Sequence, residues 1–464
     1  MARERQLKSN FKGEGVFWDP RTPDQSFPGT LIFDPAQGIE LQAAAAAAHP
    51  SQMFGGNEDP EATILHGQVQ GRGACTILFP HVIKTESSFG LGGVIQSRHF
   101  RAHSAVFGEL LDSPDAPIVE EMRVEFAYLD EWLGSVRVQM NKSEDIEEPF
   151  VVTFPYRRHS FLSSSVQAID ATVEVYKTLN WQNDMLGNFR GSYPAIVAVK
   201  STEKHSIDWC LRVLWRLQNL FSLIFGFSTT PVEVTLISGS KPVTPIELLF
   251  RVNERATSGK RDPSTSLQFT EQQLSNTVQK WFGTSPEFRR VEDLLLGTYY
   301  SANTYVESEF LSLAQGIESF HRVTRLRTLV DGKIFQSALE FVDKLLENSP
   351  VPEVLREKFR EVLQFANDLS FQTRIDELLE SLSNPQAQQI VGDKETFSRT
   401  LKQTRNYLTH PGIKKKGCVL DSPAELYRFN RRLQAILRIL VLAHVGVDLD
   451  ITAPPAYEQV RAWQ

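Results

Sequence analysis

Arg405-Asn406-Tyr407-Leu408-Thr409-His410-Pro411-Gly412, followed at once by Lys414-Lys415-Lys416, is the stretch on which the reading of this 464-residue chain turns. Apolar residues at Phe397, Leu401 and Leu408 give the segment one buried face at helical spacing, and Pro411 disfavours helical geometry at the residue before it. The pattern predicts a helix over 394–410 that stops at His410. At ~100° per residue Asn406 and His410 share a face, whereas Arg405 stands about 140° round from His410. The guanidinium and the imidazole can converge on one phosphate in two ways. Either the last turn unwinds, which Pro411-Gly412 permits, or two chains bring their motifs together.

These groups are the ones needed to cleave an RNA phosphodiester without a metal. RNA carries its own nucleophile. An imidazole takes the ribose 2′-OH proton or protonates the leaving 5′-oxygen, while a guanidinium neutralises charge developing on the phosphoryl oxygens. Asn406, one turn before His410, is placed to fix the ring's tautomer. The plain alternative makes His410 a polar helix cap and Arg405 half of a surface ion pair. Glu318, His321 and Arg322 form a second polar group, with Glu318 within reach of the site from a neighbouring helix or held in an ordinary ion pair.

Arg, Asn, three residues and His is the Rx4H form of the motif of HEPN domains, which this segment resembles. The motif lies near the end of a helical C-terminal region with one more long helix after it, as in that superfamily. Three N-terminal pieces add to this: Gly29–Pro35 (GTLIFDP), Ser87–Gly90 (SSFG) and Val124–Gly134 (VEFAYLDEWLG). They are similar to the N-terminal domain of ApeA-type anti-phage proteins. The resemblance implies a HEPN ribonuclease of an abortive-infection system, working as a homodimer or higher homo-oligomer with a composite site. It also implies a tRNA or mRNA substrate, and a phage-derived trigger sensed by the N-terminal domain. A non-catalytic HEPN protein that binds RNA or a nucleotide as sensor or scaffold is the alternative, and a purely structural partner-binding protein is a third class.

The chain carries a net charge of −7, so it is not expected to coat nucleic acid nonspecifically. The distribution is uneven. From Lys402 to Arg438 there are nine basic residues against two acidic, a local excess that suits phosphate engagement. Lys414, Lys415, Lys416, Arg428, Arg431 and Arg432 are the candidate RNA contacts; a solvated helix face and a lysine-rich turn are the bland reading. Cys75, Cys210 and Cys418 lack paired spacing, which argues against disulfides and a structural zinc site, and His99 and His103 lie too far apart along a strand to share a metal. No cofactor is expected. Apolar runs are too short or too interrupted for a membrane span and the N-terminus lacks a signal core, so a soluble, cytoplasmic chain is expected.

Residues 1–260 read mostly as short β-branched and aromatic runs between turns, predicting a sandwich or open barrel with one inserted helix over 206–226. The alanines at Ala43–Ala48 suggest a loop or short helix. Residues 253–270 read as a linker, and 271–448 as an all-helical bundle whose last helix starts on a Ser422/Pro423/Glu425 capping box. Residues 449–464 read as a tail without strong signal. The expected class is α+β, a β-rich domain followed by a HEPN bundle.

Overall fold

The computed structural model describes residues 7–47, 62–90, 93–134, 139–141, 151–153, 159–183, 189–239, 245–252, 263–301, 304–325, 327–410 and 418–462. They form two compact units: Met1–Pro263 with Phe269–Gly283, and Ser264–Gln268 with Thr284–Gln464.

The first unit is built on a 14-stranded antiparallel sheet. From Pro245–Phe250 the ladder runs through Ser104–Phe107, Gly73–Leu78, Ile64–Val69, Phe11–Trp18 and Phe27–Asp34 to Gly38–Ala47. Its ends then meet: Val252 N–H donates to Pro35 O at 2.8 Å and Arg251 Nε to Ala36 O at 2.9 Å. This part of the sheet curls into an open barrel. Two expectations change. The alanine run is strand, because Ala43–Ala47 pair with Arg98–Val94, and cross-strand pairing overrides alanine's helical preference. The run Cys75–Ile83, one of the β-branched and aromatic runs and read as a single strand, is two strands, divided where Phe79 adopts φ 52°.

Three described helices belong to this unit: α1 (Leu129–Leu133), α2 (Ile207–Phe225) and α3 (Glu271–Phe282). Helix α2 starts where Ser206 Oγ accepts from Trp209 N–H and stops at Gly226, whose φ of 83° suits glycine. Helix α3 was expected to open the C-terminal bundle. Instead it is fastened to the sheet by Ser275 Oγ, 2.8 Å from Ser164 Oγ, and to α2 by Trp281 Nε1, which donates to Arg216 O at 2.9 Å. The boundary between units therefore falls after Gly283. Of the expected linker, residues 253–262 lie outside the described residues, while Thr265, Ser266 and Leu267 are buried.

The second unit is helical: α4 (Pro286–Tyr300), α5 (Val306–Thr324), α6 (Gly332–Glu347), α7 (Glu353–Leu363), α8 (Phe371–Glu380), α9 (Pro385–Val391), α10 (Lys394–Thr409), α11 (Pro423–His444) and α12 (Leu449–Arg461). Ser422 stands at the N-cap of α11 with Pro423 at N1, but its hydroxyl makes no capping bond. Helix α11 is central. Leu426, Phe429, Leu433, Leu437 and Leu440 are buried as the apolar spacing predicts, and so are Asn430, Arg431, Gln434 and Arg438. Those polar groups are bonded: Asn430 Nδ2 to Val306 O at 2.8 Å, Gln434 Nε2 to Thr298 Oγ1 at 2.7 Å, Arg438 to Thr265 O at 2.8 Å and Gln459 Oε1 at 3.3 Å. The expected tail is helix α12, held by buried Ala453, Ala456 and Val460 despite Pro454 and Pro455 in its interior. Interior prolines erase the helical signal in sequence, and burial restores the helix.

On α5, His321 is fully buried. Its Nε2 lies 2.9 Å from Glu377 Oε2, and Arg374 Nη1 lies 3.2 Å from its Nδ1. Arginine only donates, so Nδ1 accepts and the neutral ring donates its Nε2 proton to Glu377. Burial holds the His321 pKa below its ordinary value, and the Arg374 charge acts the same way against the pull of Glu377. The hydrogen bond from His321 is the main cause holding the Glu377 carboxyl below the usual range.

A folded state whose histidine binds protons less readily than the unfolded chain is stable above the ordinary histidine pKa of about 6.5 and loses that stability as pH falls through it. Glu377 adds its own loss only below the ordinary carboxyl pKa of about 4.3. Melting of the second unit should therefore drop between about pH 7 and pH 5. In His321→Gln, which keeps a donor and an acceptor without titrating, the drop should be shallower; an equal drop would assign it to other groups.

Candidate functional site

Helix α10 opens on Asp393, whose carboxylate accepts from Thr396 N–H at 2.8 Å. Phe397, Leu401 and Thr404 are buried, while Leu408 is only half-buried. The far end is a closed turn. His410 N–H donates to Asn406 O at 2.9 Å, and Thr409 Oγ1 donates to Arg405 O at 2.9 Å. His410 is the C-cap with φ −130° and ψ 81°, and it is exposed. The turn stays wound through Thr409, where an ideal helix would set positions 405 and 410 about 140° apart, and His410 itself leaves helical geometry. Leu420 N–H donates to Thr404 Oγ1 at 3.1 Å, which brings the returning chain beside α10.

Arg405 is oriented from two sides. Its guanidinium carbon lies 5.0 Å from the centre of the Phe371 ring, and Nη2 lies 3.7 Å from Glu318 Oε2. Glu318 is bound more closely by Arg322, at 3.1 Å and 3.3 Å, so its carboxylate is shared and its hold on Arg405 is loose. Arg322 continues to Asp368 at 3.0 Å. With 38% of its side chain exposed, Arg405 keeps an edge from which it can donate to an anion. The Arg405–Glu318 pair joins the motif to the second polar group read from sequence. Phe371, Asp368, Arg374 and Glu377 were missed. They carry no motif, and only the docking of α8 against α5 and α10 brings them in.

The basic candidates divide. Arg428 is exposed. Arg431 and Arg432, expected to contact RNA, are turned inward. Arg431 is buried against Glu309. Arg432 donates through Nε to Ile390 O at 2.8 Å and lies over the rings of Phe397 and Phe429, 4.9 Å and 5.4 Å from their centres. Burial holds its guanidinium below the ordinary arginine pKa. The reason is that α11 is central, so positions off its leucine row also face neighbours. Lys414, Lys415 and Lys416, with Pro411 and Gly412, lie outside the described residues. Burial pushes the Cys75 and Cys210 thiols up to about 12, which denies them a nucleophilic thiolate at neutral pH. Among the described residues no helix is long and apolar enough to cross a membrane.

The family model described as ApeA N-terminal domain 1 matches residues 13–284, more than half of the chain. The one described as Apea-like HEPN matches residues 311–451, a span that includes α10, α11, Arg405 and His410. Comparison with curated proteins and with solved structures finds no match. The chain belongs to the ApeA family, as an ApeA-like protein with a C-terminal HEPN domain.

Proposed function

We propose that the second unit is a metal-independent endoribonuclease of an anti-phage abortive-infection system, with Arg405 and His410 as its catalytic groups and Asn406 in support. Membership of the HEPN family supports a ribonuclease or nucleotide-related role in defence. The observation that carries the finer reading is the end of α10, where an exposed imidazole follows a guanidinium that is held from behind and open in front.

In the reaction, the 2′-oxygen attacks phosphorus and the bond to the 5′-oxygen breaks. An imidazole accepts the 2′-OH proton, an imidazolium supplies a proton to the departing 5′-oxygen, and the guanidinium meets the charge gathering on the phosphoryl oxygens. The products are a 2′,3′-cyclic phosphate and a 5′-OH. Acid and base stand on opposite sides of the phosphate, which one His410 serves poorly and two copies serve well. The closed turn favours the second of the two routes by which Arg405 and His410 can meet, a composite site between two chains. Lys414, Lys415, Lys416 and Arg428 then engage flanking phosphates. The substrate is host or phage RNA, tRNA or mRNA, in the cytoplasm, and the first unit restrains or triggers the enzyme on a phage-derived signal.

His410→Ala and Arg405→Ala should each lower RNA cleavage by about 10²–10⁴-fold. Both should melt within about 1 kcal/mol of wild type, since neither group packs in the core. The measurement is sequencing of RNA ends, with mapping of cyclic phosphates, in cells under phage challenge. Cleavage and protection that survive both changes would leave a binding module as the better description. Mixing wild type with His410→Ala tests the composite site: if each phosphate needs His410 from both chains, mixed dimers are inactive and activity falls faster than the wild-type fraction, whereas chains with complete private sites would lose activity in proportion to it.

Replacing Lys414, Lys415 and Lys416 with Gln should weaken RNA binding and flatten its salt dependence by up to about three counterions. Arg431→Gln should leave the salt slope unchanged and lower stability instead, because it strands Glu309 in a buried site. A flattened slope for Arg431→Gln would put that guanidinium back on the RNA.

A further inference from the structure

Helices α6 and α7 form a hairpin tied at its base. Leu329 N–H donates to Asn367 O at 2.9 Å, Val330 N–H to Asn367 Oδ1 at 2.9 Å, and Asn367 Nδ2 to Val330 O at 3.0 Å. Within the hairpin, Leu339, Val342, Leu346 and Leu363 line the groove between the helices, and Arg360 pairs with Asp343 across it. That uses one face of each helix. The other faces carry second apolar rows: Ile334, Ala338, Phe341 and Leu345 on α6, and Leu355, Phe359 and Val362 on α7. Both rows alternate steps of four and three residues, the heptad spacing of a helix seam.

Among the described residues nothing covers these rows. Neither helix contains a buried residue, and Phe341 and Phe365 are 64% and 70% exposed. Ten of the sixteen large hydrophobic side chains that stand exposed among the described residues lie between Leu329 and Phe365. With ~150–250 Å² for a large aromatic and less for Val and Leu, they leave on the order of 1,000 Å² of apolar surface. A soluble monomer ordinarily shows a few hundred Å², and a stable interface takes about 800 Å² from each partner.

We propose that this hairpin is a self-association arm, which packs against the same hairpin of a second copy to make a four-helix bundle about a two-fold axis. The charges around the rows choose the occupant. Five basic residues (Lys333, Lys344, Arg356, Lys358, Arg360) are interspersed with six acidic ones (Glu340, Asp343, Glu347, Glu353, Glu357, Glu361). RNA or an anionic membrane calls for a basic excess and a basic partner for an acidic one, whereas near-balance suits a surface that meets itself. The arm is also wired to the site. Asp368 at its base pairs with Arg322, which pairs with Glu318, which pairs with Arg405. The consequence for activity rests on the ribonuclease reading; the association does not.

Sedimentation of the full chain at micromolar concentration tests the arm. Wild type should be a dimer, and chains carrying Phe341→Glu or Phe341→Lys, each combined with Ile334→Gln and Phe365→Gln, should be folded monomers that associate when the two are mixed. Amide exchange across 332–363 should slow as wild-type concentration rises, a readout that needs no substitution. A monomeric wild type overturns the proposal, as do variants that stay dimeric or exchange in the arm that ignores concentration. RNA cleavage in the same samples separates the two readings. Dimers that respond to the arm substitutions but never cleave RNA would uphold the arm and sink the ribonuclease.

Discussion

The packing of α5 against α11 sets which face of α5 is left for the candidate site, and at Gly316 the two come so close that a Cβ would stand 2.6 Å from Leu437 Cδ2. A side chain at position 316 would have to push the end of the Leu437 side chain aside. With Leu313, Ile317 and Phe320 buried on the same side, the rotation of α5 about its axis is fixed. Glu318, His321 and Arg322 follow on the opposite arc, where α8 and α10 lie. The apolar seam thus decides which charges can meet Arg405.

What gathers on that arc is a set of groups with graded commitment. His321 is held neutral between an arginine that must donate to it and a carboxylate that must accept from it, so it belongs to the frame. Glu318 is bound closely by Arg322 and loosely by Arg405. Arg405 is the outermost member, steadied by the Phe371 ring and exposed at its edge. An anion arriving there competes with a weak, partly solvated ion pair rather than a buried one, and displacing such a pair costs about 1 kcal/mol or less.

Legibility follows from how local each signal is. Helices α4 and α10 begin where Ser285 and Asp393 cap them, because capping and apolar spacing are written within a dozen residues. The strand made of Ala43–Ala47 was illegible, since its reason for being strand is a partner strand distant in sequence, Val94–Arg98. Helix α12 was hidden by two prolines that only packing against α9 and α11 makes tolerable. At the site, the order Arg405, Asn406, His410 could be read directly, but which arginines of α11 face inward could not. A period of 3.6 separates one face from another and does not say how many faces a central helix buries. Arg431 and Arg432 are therefore structural for the same reason that Leu433 is.

The wound end of α10 has a consequence for chemistry. If the last turn had opened, one chain could gather a guanidinium and an imidazole on the same phosphate, and a monomer would suffice. With His410 N–H still bonded to Asn406 O, the turn that carries Arg405 and His410 stays wound. An in-line displacement asks for a base and an acid on opposite sides of phosphorus, and a single chain brings one candidate imidazole, His410, to this helix end. In the proposed reaction a second copy would supply the missing imidazole and, through its own Arg405, a second guanidinium. The apolar rows on α6 and α7 would bring that copy without drawing on the site's own surface, leaving the exposed edge of Arg405 for the substrate.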